Sequence, residues 1–148
     1  MTKILKIYKY PFCTIFLLLQ TLLLLIIIQL CVRVFSLQSL IKLFSLQRNP
    51  PASKQELPVA AKAHLNKIEW AIVTVRREFP FMHLTRCLAQ ALTARLLLKK
   101  RGIKTVLFIG ATMRDRKKLE AHAWLSCGTT LMNFGAGNQE YTELIKFY

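Results

Sequence analysis

Cys87 and His122 are the two side chains of this 148-residue chain whose settings propose chemistry. Cys87 stands in Thr85-Arg86-Cys87-Leu88-Ala89-Gln90-Ala91-Leu92, at the opening of a stretch with helical spacing. His122 stands in Glu120-Ala121-His122-Ala123-Trp124-Leu125, which alternates as a strand does. Free backbone N–H groups and the positive end of the dipole at a helix N-terminus lower a thiol's pKa, in such sites to roughly 3.5–7.5. The same N–H groups can hold the oxyanion of a tetrahedral intermediate. An imidazole reaching that thiol from a neighbouring sheet completes a cysteine nucleophile and its base. The plainer account of Cys87 is a small buried residue, as most free cysteines are. For His122, beside Trp124, the plainer account is a structural histidine.

A third member follows from hairpin register. If Cys127-Gly128 forms a two-residue turn, Ser126 faces Thr129 and His122 faces Asn133 on the same side of the sheet. Asn133 would then accept the imidazole N–H, the orienting role in a Cys-His-Asn triad. A three-residue turn would send Asn133 to the other face. Glu140 ranks behind Asn133, and a site with no third member stays open. Asp115, the only aspartate, lies in a basic loop. Gln90, one turn beyond Cys87, is either an oxyanion support or a solvated helix position. His64 and His83 read as surface or packing residues.

The elements that must position these groups are legible from pattern. Pro58 to Arg77 reads as a helix with Leu65, Ile68, Ile72 and Val75 as its stripe, ended by Pro80. A second helix runs from about Arg86 to Lys100, with Thr85 as N-cap, Leu88, Ala91, Leu92 and Leu96 as its buried face, and Gly102 as its stop. Thr105 to Ala111 reads as a strand. Leu119 to Ser126 reads as another, with Leu119, Ala121, Ala123 and Leu125 on one face and Glu120, His122, Trp124 and Ser126 on the other. Thr129 to Phe134 closes the hairpin, and Glu140 to Tyr148 reads as a short helix or irregular tail. Helices first and strands afterwards predict an α+β domain.

The front of the chain has a different character. From Pro11 to Val32 there is no charge, and the run is long enough to span a bilayer as a helix. It lacks the short apolar core and small-residue cleavage site of a secretory signal. After Arg33 the pattern turns amphipathic, with Leu37, Leu40, Ile41 and Phe44 at helical spacing opposite Gln38, Lys42 and Gln47. Arg48-Asn49-Pro50-Pro51-Ala52-Ser53 then reads as a linker. The expected organisation is an apolar N-terminal helical region with linker over residues 1–52 and a catalytic domain over 53–148. A domain of under 100 residues sits near the lower end of comfortable stability. The apolar region is therefore expected to pack on the domain or lie on a membrane surface, with a true span as the alternative.

The formal net charge is +15. Lys99-Lys100-Arg101 suits the last turn of a helix, and Arg114 with Arg116-Lys117-Lys118 suits a solvated loop between strands. No nucleic-acid motif accompanies the charge, so no nucleic acid is expected; an anionic membrane face or an acidic peptide fits better. Cys13, Cys31, Cys87 and Cys127 form no CxxC pair and no zinc spacing. A reducing compartment, no metal and no cofactor are the expectations.

Five runs of this chain together resemble a known family. They are Trp70-Ala71-Ile72-Val73-Thr74-Val75-Arg76-Arg77, Phe79-Pro80-Phe81, Cys87-Leu88-Ala89-Gln90-Ala91-Leu92, Leu97-Leu98-Lys99-Lys100-Arg101-Gly102-Ile103 and Ala121-His122-Ala123-Trp124. They are similar to those of the lasso-peptide leader peptidases, the transglutaminase-like B proteins related to the microcin-processing enzyme. The likeness covers roughly residues 15 to 145, the Leu-rich opening included. It implies a transglutaminase-like, papain-like cysteine protease core, in which a helix carrying the cysteine packs on a small antiparallel sheet carrying the histidine. It implies a cytoplasmic thiol peptidase that removes the leader from a ribosomally made precursor peptide, so that an ATP-dependent lasso cyclase can close the ring. It also implies a leader-recognition partner protein, since this chain shows no leader-binding module of its own. Cys87 matches the family nucleophile and His122 its base. Where the family usually has aspartate, Leu131-Met132-Asn133-Phe134 carries Asn133, after a turn one residue shorter. Two other readings compete: a non-catalytic scaffold of the same fold binding precursor or cyclase, and a small membrane-associated basic protein.

Overall fold

Pro11 opens the first helix, α1 (Phe12–Val34), from an extended conformation, and its carbonyl accepts the Thr14 N–H at 2.8 Å. A proline there costs the helix nothing, because the first turn's N–H groups have no intrahelical partner. Every third or fourth side chain along α1 is buried: Thr14, Leu17, Thr21, Leu25, Ile28 and Val32. The buried Thr21 hydroxyl donates back to the Leu17 carbonyl at 2.7 Å, so it enters the apolar stripe without an unmet hydrogen bond. Phe12, Phe16, Leu19, Leu23, Leu30 and Val34 line the opposite, exposed face. By length and composition α1 suffices to cross a membrane, yet its inner stripe packs against two helices that follow it in the chain. After Phe35 the chain turns into the short α2 (Leu37–Leu43), capped by Ser36, whose hydroxyl accepts from the Ser39 N–H.

The computed structural model describes residues 11–44, 59–79, 87–114, 118–134 and 141–148. The predicted caps and breaks at Thr85 and Pro80, the linker at 48–53, and His83, Asp115 and Glu140 lie outside the described residues. Helix α3 (Val59–Glu78) buries the expected stripe of Leu65, Ile68, Ile72 and Val75. Helix α4 (Cys87–Lys99) is buried on more sides than an amphipathic reading allows. Ala89, Gln90, Thr93, Ala94, Leu97 and Leu98 are buried alongside Ala91 and Leu92, while Leu88 and Leu96 are only partly covered. The physical reason is position: α4 contacts α1, α3 and the sheet at once. Small residues let those neighbours approach, and the Thr93 hydroxyl satisfies itself on the Ala89 carbonyl at 2.8 Å. Gly102, with φ 72°, stops the helix as its position predicts.

The sheet is antiparallel, in the order β3-β2-β1-β4, built from β1 (Val106–Arg114), β2 (Lys118–Cys127), β3 (Thr130–Met132) and β4 (Thr142–Phe147). Together with the helices it makes the expected α+β fold. Leu107, Ala123, Leu125, Cys127, Met132 and Phe147 fill the core from the sheet side. Leu119 and Ala121, on the same face of β2 as Ala123 and Leu125, are solvent-exposed in the first half of the strand. The tail is neither helical nor irregular. β4 pairs with β1, Phe147 opposite Leu107 and Ile145 opposite Ile109, which corrects the sequence expectation. Only two of its side chains, Ile145 and Phe147, turn toward the core, too few to give a periodicity. A bulge at Ile109/Gly110 leaves Leu144 exposed beside the ladder.

Candidate active site

Cys87 is the first residue of α4, and α4 packs against β2, so the helix N-terminus is aimed at the strand that carries His122. The thiol lies 4.0 Å from the Ala121 carbonyl oxygen. Burial pushes the Cys87 thiol up, but the hydrogen bond with His122, the backbone amides of Ala123 and Leu88, and the charge of the imidazole outweigh it. The net shift is downward from the ordinary value. His122 moves the other way. Its hydrogen bond with Cys87 raises its pKa, burial opposes, and Asn133, the Cys87 charge and the Glu120 carboxylate add to the rise. Opposite shifts on two touching groups favour one state, thiolate beside imidazolium.

Asn133 Oδ1 sits 2.7 Å from His122 Nε2. An amide oxygen accepts there, so Nε2 carries the proton and Nδ1 is the nitrogen left to face the thiol. The contact arises by a different register from the one expected. Cys127 pairs with Thr130, Ser126 with Leu131 and Leu125 with Met132, so the turn is Gly128-Thr129, not Cys127-Gly128. Gly128 takes φ 56°, the conformation that the first central position of such a turn reserves for glycine. The slip is two residues, an even number, and an even slip keeps every side chain on its own face. Asn133 therefore still shares the face of His122 but reaches it diagonally, from beyond the end of the β2–β3 ladder.

The chain is held there by a residue that sequence reasoning missed. Phe134, next after Asn133, is buried with φ 50°, a left-handed conformation unusual for a bulky side chain. Its N–H donates to Glu69 Oε1 of α3 at 3.1 Å. No local signal links residues 65 positions apart, and nothing in the sequence singles out Glu69. The amides of Ala123 and Leu88 were equally invisible, since any residue supplies a backbone N–H. Glu120, on the His122 face of β2, had the right position but no reason to be chosen.

Gln90 is not the solvated helix position that was one of its two sequence readings. It is 4% exposed, and its Oε1 accepts from Arg76 Nη1 of α3 at 3.3 Å, tying α3 to α4. His64 is exposed on α3. On the outer sheet face His122, Trp124 and Tyr141 form an aromatic cluster, with the His122 and Tyr141 ring centroids 4.8 Å apart and Trp124 stacked on Phe108. Gly110 permits it: a Cβ there would meet the Trp124 ring and the Thr142 carbonyl, each at 2.6 Å. His122, 8% exposed, is thus walled by aromatics and hydrogen-bonded at Nε2. Cys127 contrasts with Cys87: it is fully buried, its pKa pushed up to about 11 by that burial, and its thiol donates to the Lys104 carbonyl. Among the described residues no group of His, Cys, Asp and Glu side chains is placed to hold a metal ion.

A cavity of about 360 Å³ opens beside the thiol, lined by Cys87, His122 and apolar residues from α1, α2, α4 and the sheet. A nucleophile activated by hydrogen bonds, an oriented base and an adjoining cavity together permit attack on a carbonyl carbon. Comparison with known proteins gives a family: residues 28–146 match the transglutaminase-like superfamily. No curated protein and no solved structure matches the chain.

Proposed function

From the premise that the chain belongs to the transglutaminase-like superfamily, which includes cysteine peptidases, we propose that it is a cysteine peptidase that removes the leader from a ribosomally made lasso-peptide precursor. The observation that carries the reading is the chain of contacts from Cys87 through His122 to Asn133, with shifts that favour the ion pair. In the first step the Cys87 thiolate attacks the scissile carbonyl carbon, and the carbonyl electron pair moves onto oxygen. The helix N-terminal amides at Cys87 stabilise that oxyanion. The intermediate collapses, the C–N bond breaks, and the leaving amine takes the proton from His122. His122 then accepts a proton from water as the water attacks the thioester, and the Cys87 thiolate is expelled with that proton kept on His122, which restores the ion pair. Asn133 holds the ring throughout.

The five sequence runs similar to leader peptidases support the substrate class. That likeness also brings the partners: the precursor peptide, a separate leader-recognition protein to deliver it, and a lasso cyclase to take the product. We divide the chain at the linker, with 1–52 as an apolar helical region and 53–148 as the catalytic domain. The site works in the cytoplasm, and the outer stripe of α1 rests on an anionic membrane surface, which the net charge of +15 favours. Co-sedimentation with anionic vesicles, lost in Phe16→Glu/Leu23→Glu, tests that placement; equal binding by the double variant refutes it.

The decisive experiment combines purified protein with the precursor and recognition protein encoded beside it, in parallel with Cys87→Ala, and reads peptide masses. Leader loss that vanishes in the variant establishes the peptidase and its cleavage point together. An intact precursor, with both proteins folded, would leave the scaffold reading in its place.

A further inference from the structure

The cavity beside Cys87 has a composition that bears on the substrate. Its lining includes Val32 from α1, Phe35 after it, Leu40 from α2, Leu88 from α4 and Ile109 from β1, together with Cys87 and His122. Apart from that pair, no titratable side chain among the described residues lines it. Away from that pair, a charged substrate side chain entering it would give up water without a counter-charge in return. An apolar side chain would gain by the same exchange. The volume, about 360 Å³, is at the lower end of the range of about 300–1,000 Å³ typical of small-molecule pockets. It accommodates one large side chain rather than a folded partner.

Three features make this a built cleft and not a packing defect. Cys87 is itself one of its lining residues, so an acyl group joined to that residue forms next to it. Leu40 and Val32 are buried, anchored in the core by the stripe that seats α1 on α3 and α4. Phe35, 49% exposed, stands where α1 ends and the backbone turns extended before the Ser36 cap, so its ring borders the opening without holding the fold together. Resting on the peptidase reading above, we propose that this cleft is the specificity subsite and accepts a large uncharged apolar side chain of the peptide residue next to the scissile bond. The apolar N-terminal helices are on this account part of the active site, supplying three of its walls.

The test uses reagents that carry their own apolar group to the sulfur. N-methyl-, N-ethyl-, N-cyclohexyl- and N-benzylmaleimide share one reactive centre and differ only in what must occupy the cleft. Alkylation rates of the full chain, read by peptide mapping, give each cysteine its own size series, and exposed Cys13 serves as the internal reference. The expected result is a rate at Cys87 that rises about tenfold from the methyl to the benzyl reagent, relative to Cys13. In Phe35→Ala the rise falls to about threefold or less. Val32→Ala, with its own folding checked by circular dichroism, does the same. A Cys87 size series no steeper than that of Cys13, or one untouched by both substitutions, overturns the subsite. Selectivity is a ratio, so it is readable whether or not the thiol is activated. A Cys87 that reacts no faster than Cys127 but keeps the size series would refute the peptidase reading and uphold the cleft.

Discussion

At neutral pH Cys87 should alkylate with iodoacetamide at least about tenfold faster than Cys127, and the contrast can be worked from the two environments. Burial raises Cys127 to about 11, so at pH 7 only about one molecule in 10⁴ carries its thiolate. Cys87 lies below the ordinary value of 9.0, so its thiolate fraction exceeds about one in 100. The ratio of thiolate populations is thus at least about 100. A thiolate of lower pKa is intrinsically the weaker nucleophile, with a Brønsted slope of about 0.4–0.5, which returns a factor of about 6–10 over that interval. Roughly tenfold survives as a floor, and it widens because Cys127 is fully buried whereas Cys87 lines a cavity. The assay is iodoacetamide labelling between pH 5 and 9, quenched over time and quantified per cysteine by mass spectrometry. The sign of the pH dependence follows from the directions of the two shifts. Cys87 is lowered, so its labelling persists below the ordinary thiol range and falls only as acid protonates it. His122 is raised, so peptidase turnover, which needs the imidazolium, is lost on the alkaline side only above the ordinary histidine range. Equal labelling of the two cysteines at pH 7, or a Cys87 midpoint at or above the ordinary thiol value, would refute the ion pair.

Replacing Asn133 by Asp puts a charged acceptor 2.7 Å from Nε2; charge-assisted hydrogen bonds gain about 1 kcal/mol or more over neutral ones, so the alkaline limb of the rate profile should move up by about one pH unit. An unchanged limb would mean that residue 133 does not govern the imidazole. Glu69→Ala strands the Phe134 N–H and should cost about 1–3 kcal/mol in thermal or urea unfolding. It should also shift the alkaline limb downward, a readout that a purely structural contact would not move; Glu69→Gln, which keeps an acceptor, should restore most of both. Gly110→Ala forces a Cβ to within 2.6 Å of Trp124 and the Thr142 carbonyl, for a loss of about 1–3 kcal/mol seen as a Tm lower by several degrees. Tm within 1 °C of the parent would show that the aromatic cluster repacks without strain.

Cys87, His122 and Asn133 were legible before any coordinates because each depends on a short-range rule. A thiol at the start of a helical run, a histidine on an alternating strand, and a turn of small residues are local patterns, and register parity carries across a hairpin even when the turn is misplaced. The site at Asn133 survived an error of two residues for that reason alone; an error of one would have destroyed it. Likewise the stripe of Leu65, Ile68, Ile72 and Val75 declared α3, since helical periodicity is written along the chain.

The rest required the chain to be folded in three dimensions. Strand β4 carries only Ile145 and Phe147 inward, so its identity comes from the edge of β1 that it completes and not from its own pattern. Gln90 offered an oxyanion support or a solvated helix position, and only the fold shows it buried with Arg76 of α3 on its amide oxygen. Glu69 reaches Phe134 across 65 residues, and the walls of the cleft come from α1 and the α1–α2 segment more than 40 residues before Cys87. Hydrophobicity says that α1 must be covered, but not by what; its inner stripe found α3 and α4. Local periodicity and residue chemistry thus determined which groups are candidates for reaction. Which of them meet, what orients them and what surrounds the reacting atoms were decided by packing, because those contacts join segments whose sequences carry no information about one another.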